Sequence, residues 1–444
     1  MIHMQKIRLV ASVFGAALLL LLVLAATGMA ENTGDKSRSL YDELVAGFDS
    51  RINVVGYGIY REVEESPVNS GNIFIIPRYQ MEAELRPDFY LNFRRLELIL
   101  KPRFEFRRLW WEDGILKGSS DNEDDEYINE WLARLRLTDK VFISYGRENL
   151  QWGPAYLLSP SNPFNRDNGR NNPELELAGM DFARLVLIPN DRWTASLIAN
   201  VDKGEQDVDF DFSRQRDYFT PPLSSDKIDL LQDLIDIYGT DIDAIQQGFA
   251  RDFKKTYAAK IDYTADGKFF SFIPSVREDD DPRFGFFGGW NATNGLLLYA
   301  EGSIGSESAG GTDLLAGGAY TLTSGANISF EYFHKEEGCT DDPLGDCFST
   351  GGGHRSVIPG DAFIRKNYGF VQYYDTGILN SIDLTLRMIY GFDDQSSQGI
   401  GIVQYEMNDN SRIFFIGNLM TGDDETEFGS FLDYMLMIGV GYTF

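Results

Sequence analysis

The chain has 444 residues, 24% charged and 43% hydrophobic, with 40 basic against 68 acidic side chains and a formal net charge of −28. Such acidity excludes a nucleic-acid surface, which needs clustered Lys and Arg against phosphate. Two cysteines and three histidines are too few for most thiol- or imidazole-based metal or catalytic sites.

In chain order, Lys6 and Arg8 precede an apolar run from Leu9 to Ala26, and Gly28 and Ala30 place small residues before Glu31. This is the pattern of a secretory signal peptide over residues 1–30, with a retained anchor as the alternative. No later stretch offers the ~20 apolar residues of a membrane helix. Residues 1–30 carry two basic and no acidic side chains, so the remainder balances at 38 − 68 = −30. Residues 31–50, with SLYDELVAGFDS, are expected to form a periplasmic N-terminal segment leading into the first strand.

From residue 51 onward, apolar and polar residues alternate with period two. In LELILKPRFEFR, Leu96, Leu98, Leu100, Pro102, Phe104 and Phe106 share one face, and Glu97, Lys101, Arg103, Glu105 and Arg107 share the other. About eighteen strands are predicted, sixteen being the lower count. They are 51–60, 72–86, 88–109, 128–138, 141–149, 181–188, 192–201, 255–264 and 268–276. The second half adds 283–292, 296–304, 312–322, 327–335, 366–375, 380–391, 399–408, 411–420 and 431–444. Most have the ~9–11-residue length of a tilted membrane strand, not the ~5–6 of a soluble one.

Short connections such as Arg86-Pro87-Asp88, Thr138-Asp139-Lys140 and Asn408-Asp409-Asn410 alternate with long polar insertions at 110–127, 150–180, 202–254 and 336–365. Short turns on one side and long loops on the other predict an all-β chain, a transmembrane antiparallel β-barrel over 51–444 with both termini periplasmic. The apolar steps of SDKIDLLQDLIDIYGTDIDAIQQGFARDF, 225–253, predict a short helical insert in one long loop.

The inner rows then carry Arg78, Glu82, Glu84 and Arg86; Arg95, Glu97, Lys101, Arg103, Glu105 and Arg107; Arg134 and Arg136; and Arg184. Nine are basic and four acidic, a wall at +5 inside an acidic chain. Basic rings favour anions, whereas Arg–Glu ladders only hold neighbouring strands together. The Pro- and Asn-rich loop after Gly146 is expected to narrow the lumen, with Arg147, Trp152, Arg166 and Arg170 facing the solute.

Cys339 and Cys347, in CTDDPLGDC of an exported chain, are expected to form one local disulfide. Acidic runs at Asp121–Glu126, Glu278–Asp281, Asp341–Asp342 and Asp423–Glu427 offer hard oxygen ligands for Ca²⁺ or Mg²⁺, or plain solvated charge. No other cofactor or metal site is expected. With His334 and His354 alone and no Gly-x-Ser-x-Gly elbow, an enzyme is not expected either.

The C-terminal row Leu436, Ile438, Val440, Tyr442 and Phe444 resembles the assembly signal of bacterial outer-membrane barrels. That resemblance implies a Gram-negative outer membrane, periplasmic chaperones, the barrel-assembly machinery and surrounding lipid as partners. Between Gly146 and Leu185, G-R-x-x-L-x-W-G, S-P-x-N-P, P-E-L-E-L and D-x-x-R-L follow in order. This order resembles a group of proteobacterial outer-membrane barrels and, more weakly, alginate-export-type porins. The match covers about forty residues and implies a monomeric barrel with a transport role. The expected function is a channel for passive passage of small or oligomeric polar solutes, with anion preference. The alternative is a plugged barrel acting in surface polysaccharide export, assembly or binding.

Overall fold

A computed structural model describes residues 40–444 except 166–173, 175, 206–217, 220, 226, 229, 233–252, 307–309 and 349–362. The expected signal peptide, residues 1–30, lies outside the described residues. A helix, α1 (Leu40–Gly47), leads directly into β1 (Phe48–Val63), β2 (Tyr79–Phe93), β3 (Leu96–Trp110), β4 (Ser120–Thr138), β5 (Val141–Glu148) and β6 (Met180–Asn190). There follow β7 (Trp193–Asp202), β8 (Thr256–Ala265), β9 (Lys268–Arg277), β10 (Arg283–Asn291), β11 (Leu296–Ile304) and β12 (Asp313–Thr321). The sheet ends with β13 (Asn327–Lys335), β14 (Asn367–Ile378), β15 (Ile382–Gly391), β16 (Ser397–Asn408), β17 (Ser411–Thr421) and β18 (Leu432–Thr443).

Each strand pairs antiparallel with the next, and β1 pairs with β18 from Asn53↔Thr443 to Val63↔Leu432. The result is a closed 18-stranded barrel. Closure leaves no edge, which is what a sheet in a medium without water requires. The outer rows are apolar and exposed, as at Met81, Leu197, Phe270, Phe330, Ile438 and Val440. On β18 the expected row Leu436, Ile438, Val440, Tyr442 and Phe444 is exposed throughout, and the rings of Tyr442 and Phe444 meet edge to face at 4.6 Å.

Several boundaries differ from the expected ones. Arg86-Pro87-Asp88 is not a turn: β2 runs through it and turns at Arg94 and Arg95. Pro87 lacks a donor, and it sits in the gap between Leu85↔Phe104 and Phe89↔Leu100, where β2 makes no pair with β3. Residues 72–78 are not strand, and Ile73 is buried among loops. The acidic run Asp121–Glu126 is no loop tip: it belongs to β4, paired with Phe104 to Leu109 of β3. The expected leader is helical from Leu40 and already strand at Phe48, with Glu43 bonded to Arg94 at 2.9 Å.

Over the long-loop end of the barrel, loops pack into an apolar cap of Val68, Ile73, Phe219, Leu344 and Ile364 around the bonded pair Cys339–Cys347. Of the expected helical insert, the described positions between Ser225 and Gln232 are helical, and Leu230 and Leu231 pack against this cap. Glu427 ties the cap together. Its carboxylate accepts the N–H of Ile364 at 2.8 Å and of Arg365 at 3.2 Å, together with the Tyr368 hydroxyl. Burial pushes the Glu427 carboxyl up to about 7, against these hydrogen bonds. Next to it, burial would raise Asp394, but the N–H groups of Glu427 and Ser396, the Ser396 hydroxyl and the Arg365 guanidinium hold it below the usual carboxylate range.

Candidate functional site: the lumen and its inner loop

The described residues of the 149–179 loop lie inside the barrel. Its outgoing limb is bolted to the inner wall by two buried carboxylates. Glu331 of β13 accepts the N–H of Tyr156 at 2.6 Å and of Leu157 at 2.8 Å, and the Tyr299 hydroxyl at 2.5 Å. Glu301 of β11 accepts both the Ser159 and the Ser161 hydroxyl, the latter at 2.7 Å. Ala155, Leu157 and Leu158 pack on Leu315, Phe333 and Phe370, while Trp152 and Phe164 pack on Ala258, Ile273 and Phe287. Gly153 makes the approach possible: at φ +88°, a Cβ there would lie 2.1 Å from Glu301 Oε2.

On the returning limb, Glu174 and Glu176 lie against the opposite wall. The Glu174 carboxylate accepts from Gln404 of β16 at 2.9 Å and Arg412 of β17 at 2.8 Å, and its carbonyl accepts from Arg86 of β2 at 2.7 Å. Glu176 takes Arg103 of β3, with Nη2 at 3.0 Å, and Asn129 of β4 at 3.2 Å. The described parts of the loop therefore touch β11 and β13 on one side of the lumen and β2, β3, β16 and β17 on the other.

It divides the interior into unlike sectors. Apolar clusters line the inner face on β8 to β15, interrupted by the buried acids Glu301, Asp313 and Glu331, and a separate apolar cluster lines β16 to β1. The inner rows of β2 to β6 are charged. There Arg86 pairs with Glu84 at 2.6 Å, and Arg107 pairs with Glu82 at 2.9 Å, Glu105 at 3.2 Å and Glu123 at 3.4 Å. Lys101 meets Glu130 at 3.0 Å, Arg103 meets Asp88 at 3.0 Å, Arg134 meets Glu97 at 2.8 Å and Arg184 meets Glu148 at 2.8 Å. Lys260 and Asp262 of β8 form a further pair, with the Lys260 ammonium 5.6 Å from the Trp152 ring centroid.

Most expected wall residues fall on this sector: Glu82, Glu84, Arg86, Glu97, Lys101, Arg103, Glu105, Arg107, Arg134 and Arg184. Arg136 lies near the short-turn end over the Phe142 ring at 5.5 Å. Three assignments are corrected. Arg78 precedes β2 and pairs at the long-loop rim with Glu62 at 3.0 Å and Asp113 at 2.8 Å. Arg95 occupies the short β2–β3 turn and donates to the Leu137 carbonyl at 3.2 Å. Arg147 alternates onto the outer row with Trp131 and is held by Asp181 at 2.8 Å and Glu205 at 2.5 Å. Trp152 is inside, while Arg166 and Arg170 lie outside the described residues.

The wall's balance changes too. Asp88, Glu130, Glu148 and Glu176 meet the arginines and lysine that sequence alternation left unpaired. The buried anchors Glu301 and Glu331 were also missed. Each is a lone acid in an inward row, Tyr299-Glu301-Ser303 and Ser329-Glu331-Phe333, which is the signal that could have found them. The carboxylates of Glu82, Glu84 and Glu105 lie close enough to share a cation, but the Arg86 and Arg107 guanidiniums and the Tyr57 and Tyr127 hydroxyls already bond them.

No protein-family model matches the chain, and no curated protein does. Among solved structures, it is similar to Pseudomonas aeruginosa OccK11 (OpdR), at 10% identity and TM-score 0.53 over 90% of this chain and 96% of that one. Pseudomonas aeruginosa OccK7 (OpdD) aligns at 11% identity and TM-score 0.53 over 90% and 99% of the two chains. Acinetobacter baumannii OccAB3 gives the same identity, 11%, and TM-score, 0.53, over 90% and 99%. These likenesses show the fold, a porin-type barrel. The finer resemblance of the 146–187 segment gains nothing from them.

Proposed function

We propose that the protein is an outer-membrane channel of a Gram-negative bacterium, passing small polar solutes passively along the charged sector of its lumen, with no enzymatic chemistry. The single observation carrying this reading is the inner loop, whose outgoing limb packs on the apolar clusters of β8 to β15, opposite a wall of charged pairs on β2 to β6. A pathway lined by such pairs offers donors and acceptors of both signs to a dehydrating solute. Size is set by the loop. Because the wall arginines are matched by carboxylates, any anion preference is weak.

The test is single-channel current of the purified, refolded protein in planar bilayers under a salt gradient. Stable, small-conductance current with a reversal potential near zero supports the reading. Correctly folded barrels that carry no current overturn it and favour a plugged barrel acting at the surface.

A further inference from the structure

The contacts of Glu174 straddle the place where the barrel closes. Arg412 and Gln404 belong to β17 and β16, on one side of the β1–β18 seam, and Arg86 belongs to β2, on the other. Glu174 is fully buried, and its contacts continue as a circuit across the seam. Arg86 bonds Glu84 at 2.6 Å, and Glu84 accepts the Tyr57 hydroxyl of β1 at 3.1 Å. The Tyr57 ring then meets the Phe414 ring of β17 at a centroid distance of 6.4 Å, above Gly439 of β18. Only a residue without a side chain fits beneath that contact: a Cβ on Gly439 would lie 2.3 Å from Phe414 and 2.7 Å from Tyr57.

We propose that the returning limb of the inner loop is a brace for the barrel seam, with Glu174 as its keystone. Barrel closure and docking of this limb are then one event. The seam has backbone pairing like any other strand junction, but it joins chain ends almost 400 residues apart (Asn53 with Thr443), so nothing local holds the two strands together. A residue of the β5–β6 loop, its carboxylate bonded to the β16–β17 flank and its carbonyl to Arg86 on the other, removes that weakness. It also means that this limb cannot swing aside as a gate while the barrel stays closed.

The test compares Glu174→Ala with Glu331→Ala, which releases the other limb away from the seam. Each is made alone and together with a covalent seam lock, Val54→Cys plus Tyr442→Cys, which face each other across β1 and β18. The readout is the temperature at which the folded barrel yields to SDS, read from gel mobility. Glu174→Ala should lower it by about 5 °C or more, and the oxidised lock should restore it. Glu331→Ala should lose stability that the lock does not restore. An unchanged Glu174→Ala barrel, a loss the lock fails to repair, or equal repair of both variants overturns the proposal. Should Glu174→Ala alone not fold, its folding only in the oxidised locked background supports the brace, and failure there overturns it.

Discussion

The Glu331 carboxylate accepts the N–H of Leu157 at 2.8 Å, joining a wall strand to a loop 174 residues earlier in the chain. The same carboxylate takes the Tyr156 N–H, so one buried side chain fixes two successive peptide groups. Removing it strands two donors in a dry interior, at about 1–3 kcal/mol each. Glu331→Ala is therefore expected to free the outgoing limb and to raise both conductance and current noise in planar bilayers. Unchanged conductance would mean that this limb does not border the pathway.

Gly153 is a second fixed point. Gly153→Val would place a branched side chain at φ +88° and against Glu301, costing on the order of 1–3 kcal/mol in backbone strain alone. The expected outcome is a displaced loop in a barrel that still closes. Limited proteolysis should then cut the 149–165 segment while the strands remain protected.

Neutralising Arg103, Arg107 and Arg134 together to Gln should shift selectivity towards cations. Glu176 and Asp88, Glu82 and Glu105, and Glu97 would lose the charges they now face. The reversal potential in a salt gradient measures this. A potential that does not move would show that ions avoid the β2 to β4 wall.

The cap should respond to pH through Glu427. Its folded carboxyl titrates near 7 because burial disfavours the charge, whereas an unfolded glutamate titrates near ~4.3. Between these values the folded state binds the extra proton. Stability is therefore greatest below the unfolded value, falls as pH rises towards about 7, and is level above it, a total on the order of 4 kcal/mol. Protease resistance of the cap should be higher at pH 5 than at pH 8. Glu427→Gln should flatten that difference; a variant with the same pH profile as the parent would remove Glu427 as its source.

The local motif of the 146–185 segment acquires a physical meaning in the barrel. Its Arg147 and Asp181 form an outer cross-strand pair, and Glu148 with Arg184 the inner one beside it. The serines of S-P-S-N-P meet Glu301, and both glutamates of P-E-L-E-L meet arginines of the far wall. None of these partners lies near in sequence, so the motif's order was visible but its purpose was not.

What the sequence determined by itself is the closed barrel, its strand number and its outer face. Alternation is a local property, and lipid demands an apolar side chain at every second position, as from Leu436 to Tyr442. Which side an individual arginine takes was decided only by tertiary structure. Continuing β2 through Pro87 put Arg95 in a turn, and ending the strand ladder before Arg78 put that residue on the rim. The filling of the lumen was likewise decided there, because Glu174 and Arg412 meet across 238 residues and Ser161 and Glu301 across 140. Such contacts exist only once the sheet has closed and given the loop an interior to enter.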